Sequence, residues 1–156
     1  MSAISLADCP VCQSVNGVQR LSPGPFIYEG RYWLVDHAYP VALQGWLVIV
    51  LRRHGLALHD LHPEEFHELG IIQYRTVQTL FRSFGCAKEY ALCMGEAVGF
   101  QHLHVHIVPR AEHLPDRFRG TDIFKLKNVA ADQQLSAKEI QELSSALRNV
   151  FDTIKV

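Results

Sequence analysis

No stretch of this 156-residue chain is apolar enough for long enough to cross a bilayer, and no basic start leads into an apolar signal core. A membrane span and a secretory signal are therefore not expected, and the default address is cytoplasmic. Nor does either charge dominate, since 15 Lys and Arg stand against 16 Asp and Glu for a net −1. That removes the basic face on which long nucleic acids are held, while a small phosphorylated ligand needs only a local cluster. Internal repeats and low-complexity tracts are missing, which excludes a solenoid or a linker-like tail. Cysteine is scarce. Of the four, Cys86 and Cys93 fall beside and within a predicted strand, and Cys9 and Cys12 are spaced for metal or redox chemistry. A hydrophobic content of 48% supplies one core, so a single domain over residues 1–156 is expected.

What is present in abundance is histidine, concentrated in Gly99-Phe100-Gln101-His102-Leu103-His104-Val105-His106-Ile107-Val108-Pro109-Arg110. Strict alternation from His102 to Ile107 reads as a half-buried strand closed by Pro109. The three histidines then share one face, with neighbours about 6.5–7 Å apart at a rise of about 3.3 Å per residue. One phosphate chain, or one metal ion, could touch all three. Leu103, Val105 and Ile107 point the other way into a core. Three imidazoles gathered on one face repel one another when protonated, so a bound anion or metal is expected there.

The rest of the chain reads as mixed structure. Residues 1–25 form a loop-rich opening, Phe26–Glu29 and Tyr32–Asp36 a hairpin turning at Gly30-Arg31, and Trp46–Leu51 a third, doubly buried strand. A helix is expected from Asp60 to Ser83, begun by Pro63, Glu64 and Glu65, striped by Phe66, Leu69, Val77, Leu80 and Phe81, and stopped by Gly85. Tyr90–Met94 is a fourth strand, His102–Val108 a fifth, and residues 111–134 are irregular. Ser136 and Glu139 form a capping box for a last helix carrying Ile140, Leu143, Leu147, Val150, Phe151 and Ile154 on one face. Short links between strands make the class α+β with an antiparallel sheet. Arg52, Arg53 and Arg110 read as solvated charges, with phosphate contact the alternative, and His37, His59, His62, His67 and His113 as exposed and silent. Phe26, Tyr28 and Trp33 are offered either as core or as a surface on which a base stacks.

His-Leu-His-Val-His-Ile-Val followed by Pro109-Arg110 resembles the histidine-triad (HIT) motif of nucleotide hydrolases and transferases. The resemblance extends to Gly45–His54, a strand ending in basic residues and a histidine, and to Cys9-Pro10-Val11-Cys12. It covers about residues 5–110 and leaves 111–156 as a C-terminal extension with a helix. It implies a HIT-like fold, a five-stranded antiparallel sheet with a long helix between strands and a C-terminal helix, in a homodimer that shares one continuous sheet. It also implies His104 as the nucleophile of a nucleotidyl-histidine intermediate, with His102 and His106 donating to phosphate oxygens and Gly99, Gln101 and Arg110 at the substrate. By the same resemblance Cys9, Cys12, His54 and His102 would hold a structural zinc, and no organic cofactor is called for.

This chain departs from the family pattern at three points. The family's Gly-Gln-Ser/Thr plus two residues before the first histidine is here only Gly99, Phe100 and Gln101. Cys93 stands where Asn or Gln is expected, and Trp46 where a histidine often follows the glycine of the third strand. The nucleophile is retained and the groups that handle the leaving group are changed. Two other readings stay open: a zinc-dependent hydrolase with the strand histidines as ligands, and a nucleotide-binding module without turnover.

Overall fold

In the computed structural model, which describes residues 9–127 and 129–156, the chain runs through three α-helices, four short 3-10 helices and five strands. The α-helices and strands are α1 (Pro10–Val15), β1 (Tyr28–Glu29), β2 (Trp33–His37), β3 (Leu47–Leu51), α2 (Pro63–Phe84), β4 (Lys88–Cys93), β5 (His104–Arg110) and α3 (Ala137–Thr153). The sheet order is β1-β2-β3-β5-β4 with every neighbouring pair antiparallel, which is the α+β arrangement expected. Among the described residues no helix is long and apolar enough to cross a membrane.

Alternation along the strands sorts the two faces. Trp33, Val35, Leu47, Ile49, Leu51, Val105 and Ile107 form the main core with Leu69, Ile72 and Leu80 of α2 and Leu147 and Phe151 of α3. On the opposite face Val48 and Val50 pack against α1, while Trp46 and Val108 pack against Ile123 and Phe124 from the segment after β5. The histidine row lies on that second face, between α1 and the late segment. Gly45 (φ 77°) lets the chain pass where any Cβ would collide with the Phe84 ring, and so delivers Trp46 to this face.

Several expectations are corrected. The part of the opening that is described holds a six-residue helix, begun by Pro10 at its first position and capped at Cys9, whose sulfur accepts from the Cys12 N–H. Residues 1–8 lie outside the described residues. The first hairpin turns one residue later than expected, at Arg31 and Tyr32, closed by the Gly30 N–H on the Trp33 carbonyl (2.8 Å), and Glu68 on α2 accepts both turn amides at 2.8 and 2.6 Å. The core stripe of α2 runs through Glu65, Leu69, Ile72, Thr76, Thr79 and Leu80, leaving Phe66 and Phe81 exposed. Thr76 and Thr79 fit inside because their hydroxyls bond back to the Ile72 and Arg75 carbonyls, each at 2.8 Å. Pro109 does not close its strand; it lies past the last β3 pairing, where only β4 runs beside β5.

Two charged residues differ from expectation as well. Arg53 is not simply solvated, for its guanidinium makes a two-pronged bond to buried Glu65 (2.7 and 2.8 Å) and reaches the Asp60 carbonyl. Glu65 also accepts the His62 amide at the start of α2. His37 is buried, its Nδ1–H donating to the Ala38 carbonyl (2.8 Å) and its Nε2 accepting the Gly45 N–H (3.0 Å), which closes the loop between β2 and β3. The Arg53–Glu65 clamp fixes the loop that carries His54. Arg53→Ala should therefore lower unfolding stability by about 2 kcal/mol, since it strands a buried carboxylate. Urea denaturation of the variant against the parent measures this.

Candidate functional site

β5 leaves the sheet's second face with three imidazoles in three different situations. His102 precedes the strand and is fully buried, His106 is nearly so, and His104 is partly exposed to a cleft of about 730 Å³. The Leu51 N–H bonds the Leu103 carbonyl (3.2 Å) and the Leu103 N–H the Gly55 carbonyl (2.7 Å). These two bonds bring the end of β3, with His54, beside His102.

His102 is held at three atoms. Its Nε2–H donates to the Leu51 carbonyl (2.7 Å), its own carbonyl accepts from His104 Nδ1 (2.7 Å), and its Nδ1 faces two thiols, Cys9 Sγ at 3.6 Å and Cys12 Sγ at 3.5 Å. His54 Nδ1 lies 3.4 Å from Cys12 Sγ, and the four ligand atoms of Cys9, Cys12, His54 and His102 all fall within 4.8 Å of one another. Tetrahedral zinc, with sulfur at about 2.3 Å and nitrogen at about 2.0–2.1 Å, sets sulfur and nitrogen about 3.5–3.6 Å apart, so the donor set and its spacing fit a structural zinc centre. The Leu51 carbonyl is the outer partner such a histidine needs. Burial, and then the hydrogen bond and proximity of Cys9, push the Cys12 thiol up to about 11. Both effects favour the neutral thiol until a cation neutralises the pair.

The hydrogen bonds of the other two histidines run in one direction. Trp46 Nε1–H donates to His106 Nδ1 (3.0 Å), and His106 Nε2 lies 3.1 Å from His104 Nε2. An indole nitrogen only donates and a carbonyl only accepts. The row therefore reads Trp46 N–H to His106, His106 Nε2–H to the lone pair on His104 Nε2, and His104 Nδ1–H to the His102 carbonyl. Burial depresses the pKa of all three imidazoles, to about 4 for His102 and about 3 for His106. At neutral pH the row is uncharged and His104 presents an unprotonated nitrogen.

The cleft beside His104 is mostly apolar. Phe26, Phe100 and Phe124 contribute to its wall, and Lys127 is the one lysine or arginine among the described lining residues. The charge of Lys127 adds to burial in depressing both His104 and His106. Phe124 meets the rings of Trp46 (5.2 Å) and His106 (5.3 Å) edge-on. Sequence reading missed Trp46, Phe124 and Lys127 as site residues, and the one available signal was the tryptophan standing at a histidine position. It also missed Asp36, whose place in β2 on the same face as the triad was legible from alternation. Asp36 pairs with Arg20 (2.9 Å), and burial pushes its carboxyl up to about 6 against the pull of that guanidinium.

Not every expected site residue reaches the cleft. Arg110 ends β5, about 20 Å along the strand from His104. Gly99 (φ 81°) turns the loop that places Phe100 in the cleft, and neither Gly99 nor Gln101 lines it. Tyr28 stacks on Phe151 and Trp33 lies in the core, which leaves Phe26 of the three aromatic candidates. His59, His62, His67 and His113 are exposed as expected.

Residues 22–113 match the family model described as the HIT domain. The chain belongs to the HIT family. Among solved structures, a zinc-bound histidine triad family protein from Mycobacterium smegmatis is similar with a TM-score of 0.68 at 18% identity, over 95% of this chain and 96% of that one. A hypothetical histidine triad nucleotide-binding protein from Sulfolobus tokodaii strain 7 gives 0.70 at 18% identity, over 92% of each chain. A histidine triad protein from Bradyrhizobium japonicum gives 0.66 at 23% identity, over 81% of this chain and 90% of that one. Among curated proteins, none matches this sequence. Phe124 and Lys127 of this HIT protein lie beyond the residues that the family model matches.

His37, at the cleft's edge, gives a pH test. Burial depresses it to about 4 from an ordinary 6.5, so below pH 6.5 the unfolded chain binds the proton more readily. Its contribution is complete above pH 6.5 and falls by about 3 kcal/mol as pH drops toward 4. A His37→Gln variant should thus lag the parent most at neutral pH and least at acid pH in urea unfolding; a gap independent of pH would contradict this.

Proposed function

We propose that this HIT protein transfers a nucleotidyl group from a phosphoanhydride or phosphoramidate to Nε2 of His104, and from there to water or a second phosphate. The observation that carries the reading is the one-way row of hydrogen bonds, which keeps His104 Nε2 unprotonated, its lone pair held by the His106 Nε2–H until that donor turns to substrate. The lone pair attacks phosphorus, and the resulting imidazolium keeps its Nδ1–H on the His102 carbonyl. His106 Nε2–H passes from His104 to a substrate oxygen, and the Lys127 ammonium lies beside the phosphates. Asp36, two strands away from His106 and so about 9–10 Å off, suits the nucleoside end together with Phe26. The whole chain works as one domain in this reading, because the segment beyond residue 113 supplies Phe124 and Lys127.

Two further parts of the proposal concern assembly. Zinc held by Cys9, Cys12, His54 and His102 ties α1 and the end of β3 to the start of β5, leaving His104 and His106 outside the donor set. This is support for a structural metal over the hydrolase with strand-histidine ligands. A homodimer is supported by the edge of β4 that pairs with no strand among the described residues, and by Phe66, Tyr74 and Phe81, which form a second, exposed stripe on α2 above a groove lined by Leu69, Cys93 and Val105.

Protein quenched during turnover of adenylated substrates should carry a nucleotidyl mass on the peptide containing His104, and His104→Asn should lose both adduct and turnover while keeping its fold. Binding of nucleoside monophosphate with no adduct and no turnover would replace this reading with that of a binding module. For the metal, protein purified without chelator should contain near-stoichiometric zinc that is lost on acidification, because the thiolates must be deprotonated to bind. A Cys9→Ser, Cys12→Ser variant should lack it at any pH. Traces of zinc with both thiols freely titratable would remove the metal from the proposal.

A further inference from the structure

Trp46 lies fully buried, edge-on to Phe124 and His106, with its one polar atom spent on His106 Nδ1. That contact fixes what His106 can do. With the indole N–H donated to Nδ1, the ring's single proton must sit on Nε2, beside His104. To become an imidazolium His106 would need a second proton on Nδ1, where it would meet the indole N–H head-on. The charges that act on His106 make this worse: His104 and the Lys127 ammonium both disfavour a second proton, and the carboxylates that line the same cleft, Asp36 and Glu96, do not offset them. His106 is therefore a fixed hydrogen-bond donor and has no second proton to give away.

We infer that Trp46 is a specificity-determining residue: it restricts this HIT protein to leaving groups that depart as anions, the phosphate oxygens of phosphoanhydrides, and disfavours the nitrogen leaving groups of phosphoramidates. The inference rests on His104 as nucleophile. In the anhydride reaction the lone pair of His104 Nε2 forms the N–P bond and the bridging P–O bond breaks. Its electron pair stays on the departing phosphate oxygen, which leaves as an anion next to His106 Nε2–H and Lys127. No proton changes hands, and the adduct imidazolium retains its proton on Nδ1. Water then attacks phosphorus, the N–P bond breaks, its pair returns to Nε2, and the proton released by water goes to solvent.

A phosphoramidate makes a different demand. Its P–N bond cannot break usefully unless nitrogen takes up a proton, since the alternative is an amide anion. His106 could supply only its Nε2 proton, which would leave an imidazolate in an apolar pocket. His104 is committed as nucleophile, and the Nε2 proton of His102 is bonded to the Leu51 carbonyl. None of the three histidines can serve as general acid, a role that contributes about 10²–10⁴ in rate where it is present, and an ammonium such as that of Lys127 is a far weaker acid than an imidazolium. A histidine at position 46 would lift the restriction, because imidazole can turn a lone pair toward His106 and let it carry two protons.

The test has an activity arm and an arm independent of activity. The full-length protein is assayed on diadenosine tetraphosphate and adenosine 5′-phosphoramidate, and on the guanosine counterparts. The anhydrides should be favoured in kcat/KM by about 10² or more, as expected where one reaction lacks its acid. Trp46→His should shift that ratio toward the phosphoramidate by at least about ten-fold, while Trp46→Phe, which keeps a ring without the donor, should shift it less. A purely structural Trp46 would lower both rates together. Equal or faster turnover of the phosphoramidate by the parent protein would overturn the inference. In the second arm, ¹⁵N NMR of histidine-labelled parent protein should show His106 as the Nε2–H tautomer from neutral pH to about pH 5. An Nδ1–H tautomer or an imidazolium in that range would overturn it even if no substrate turns over. Loss of all turnover with the tautomer as expected would instead bring down the transfer reading on which the substrate class depends.

Discussion

The hydrogen bond from His104 Nδ1 to the His102 carbonyl decides the chemistry available here, because it sets which nitrogen of His104 is free. A carbonyl cannot donate, so the proton stays on Nδ1 and the lone pair on Nε2. The carbonyl in turn is only as well placed as the residue that bears it. His102 is pinned through Nε2 to β3 and through Nδ1 against two thiols, so the cysteine cluster at one end of the row acts on His104 through the backbone of a shared residue. At the other end Trp46 closes the row with a group that can only give. Between two ends of fixed polarity the two imidazoles in the middle have no freedom to exchange roles.

Burial and charge work together in the same sense. Imidazoles removed from water lose their affinity for protons, and a lysine placed along the same cleft strengthens that effect while remaining available to an anion. An uncharged imidazole keeps its lone pair at neutral pH, as the role proposed for His104 requires. Asp36 lies farther along the same sheet face with Arg20 behind it. One part of the cleft thus holds an ion pair, while the charge of Lys127 acts on the two histidines at another.

The periodic parts of this arrangement were legible in the sequence, and the long-range parts were not. Alternation from His102 to Ile107 placed three imidazoles on one face, and the capping box at Ser136 and Glu139 opened α3 where expected, with the reciprocal bonds at 3.2 and 2.7 Å. On α2 the same reasoning placed Leu69, Val77 and Leu80 correctly at the core and erred at the two phenylalanines. Thr76 and Thr79 look polar in sequence and behave as core once their hydroxyls bond the helix carbonyls, while Phe66 and Phe81 look like core and face outward. His37 is silent by pattern because its burial is made by the loop between β2 and β3 folding back, a contact no local rule anticipates. Lys127 lies in a stretch without periodicity, so nothing in the spacing connects it to His104.

The sheet order has a consequence for the order in which the molecule can assemble. β5 is inserted between β3 and β4, so the strand that brings in His104 and His106 is also the only strand neighbour of β4 among the described residues. As the chain emerges during synthesis, β4 has no hydrogen-bonding strand to join until β5 follows, and Ile49 must find Val105 across the whole of α2. Completing the sheet and lining up the histidines is one event. An intermediate without the row leaves bare the two strand edges, of β3 and β4, that β5 otherwise covers.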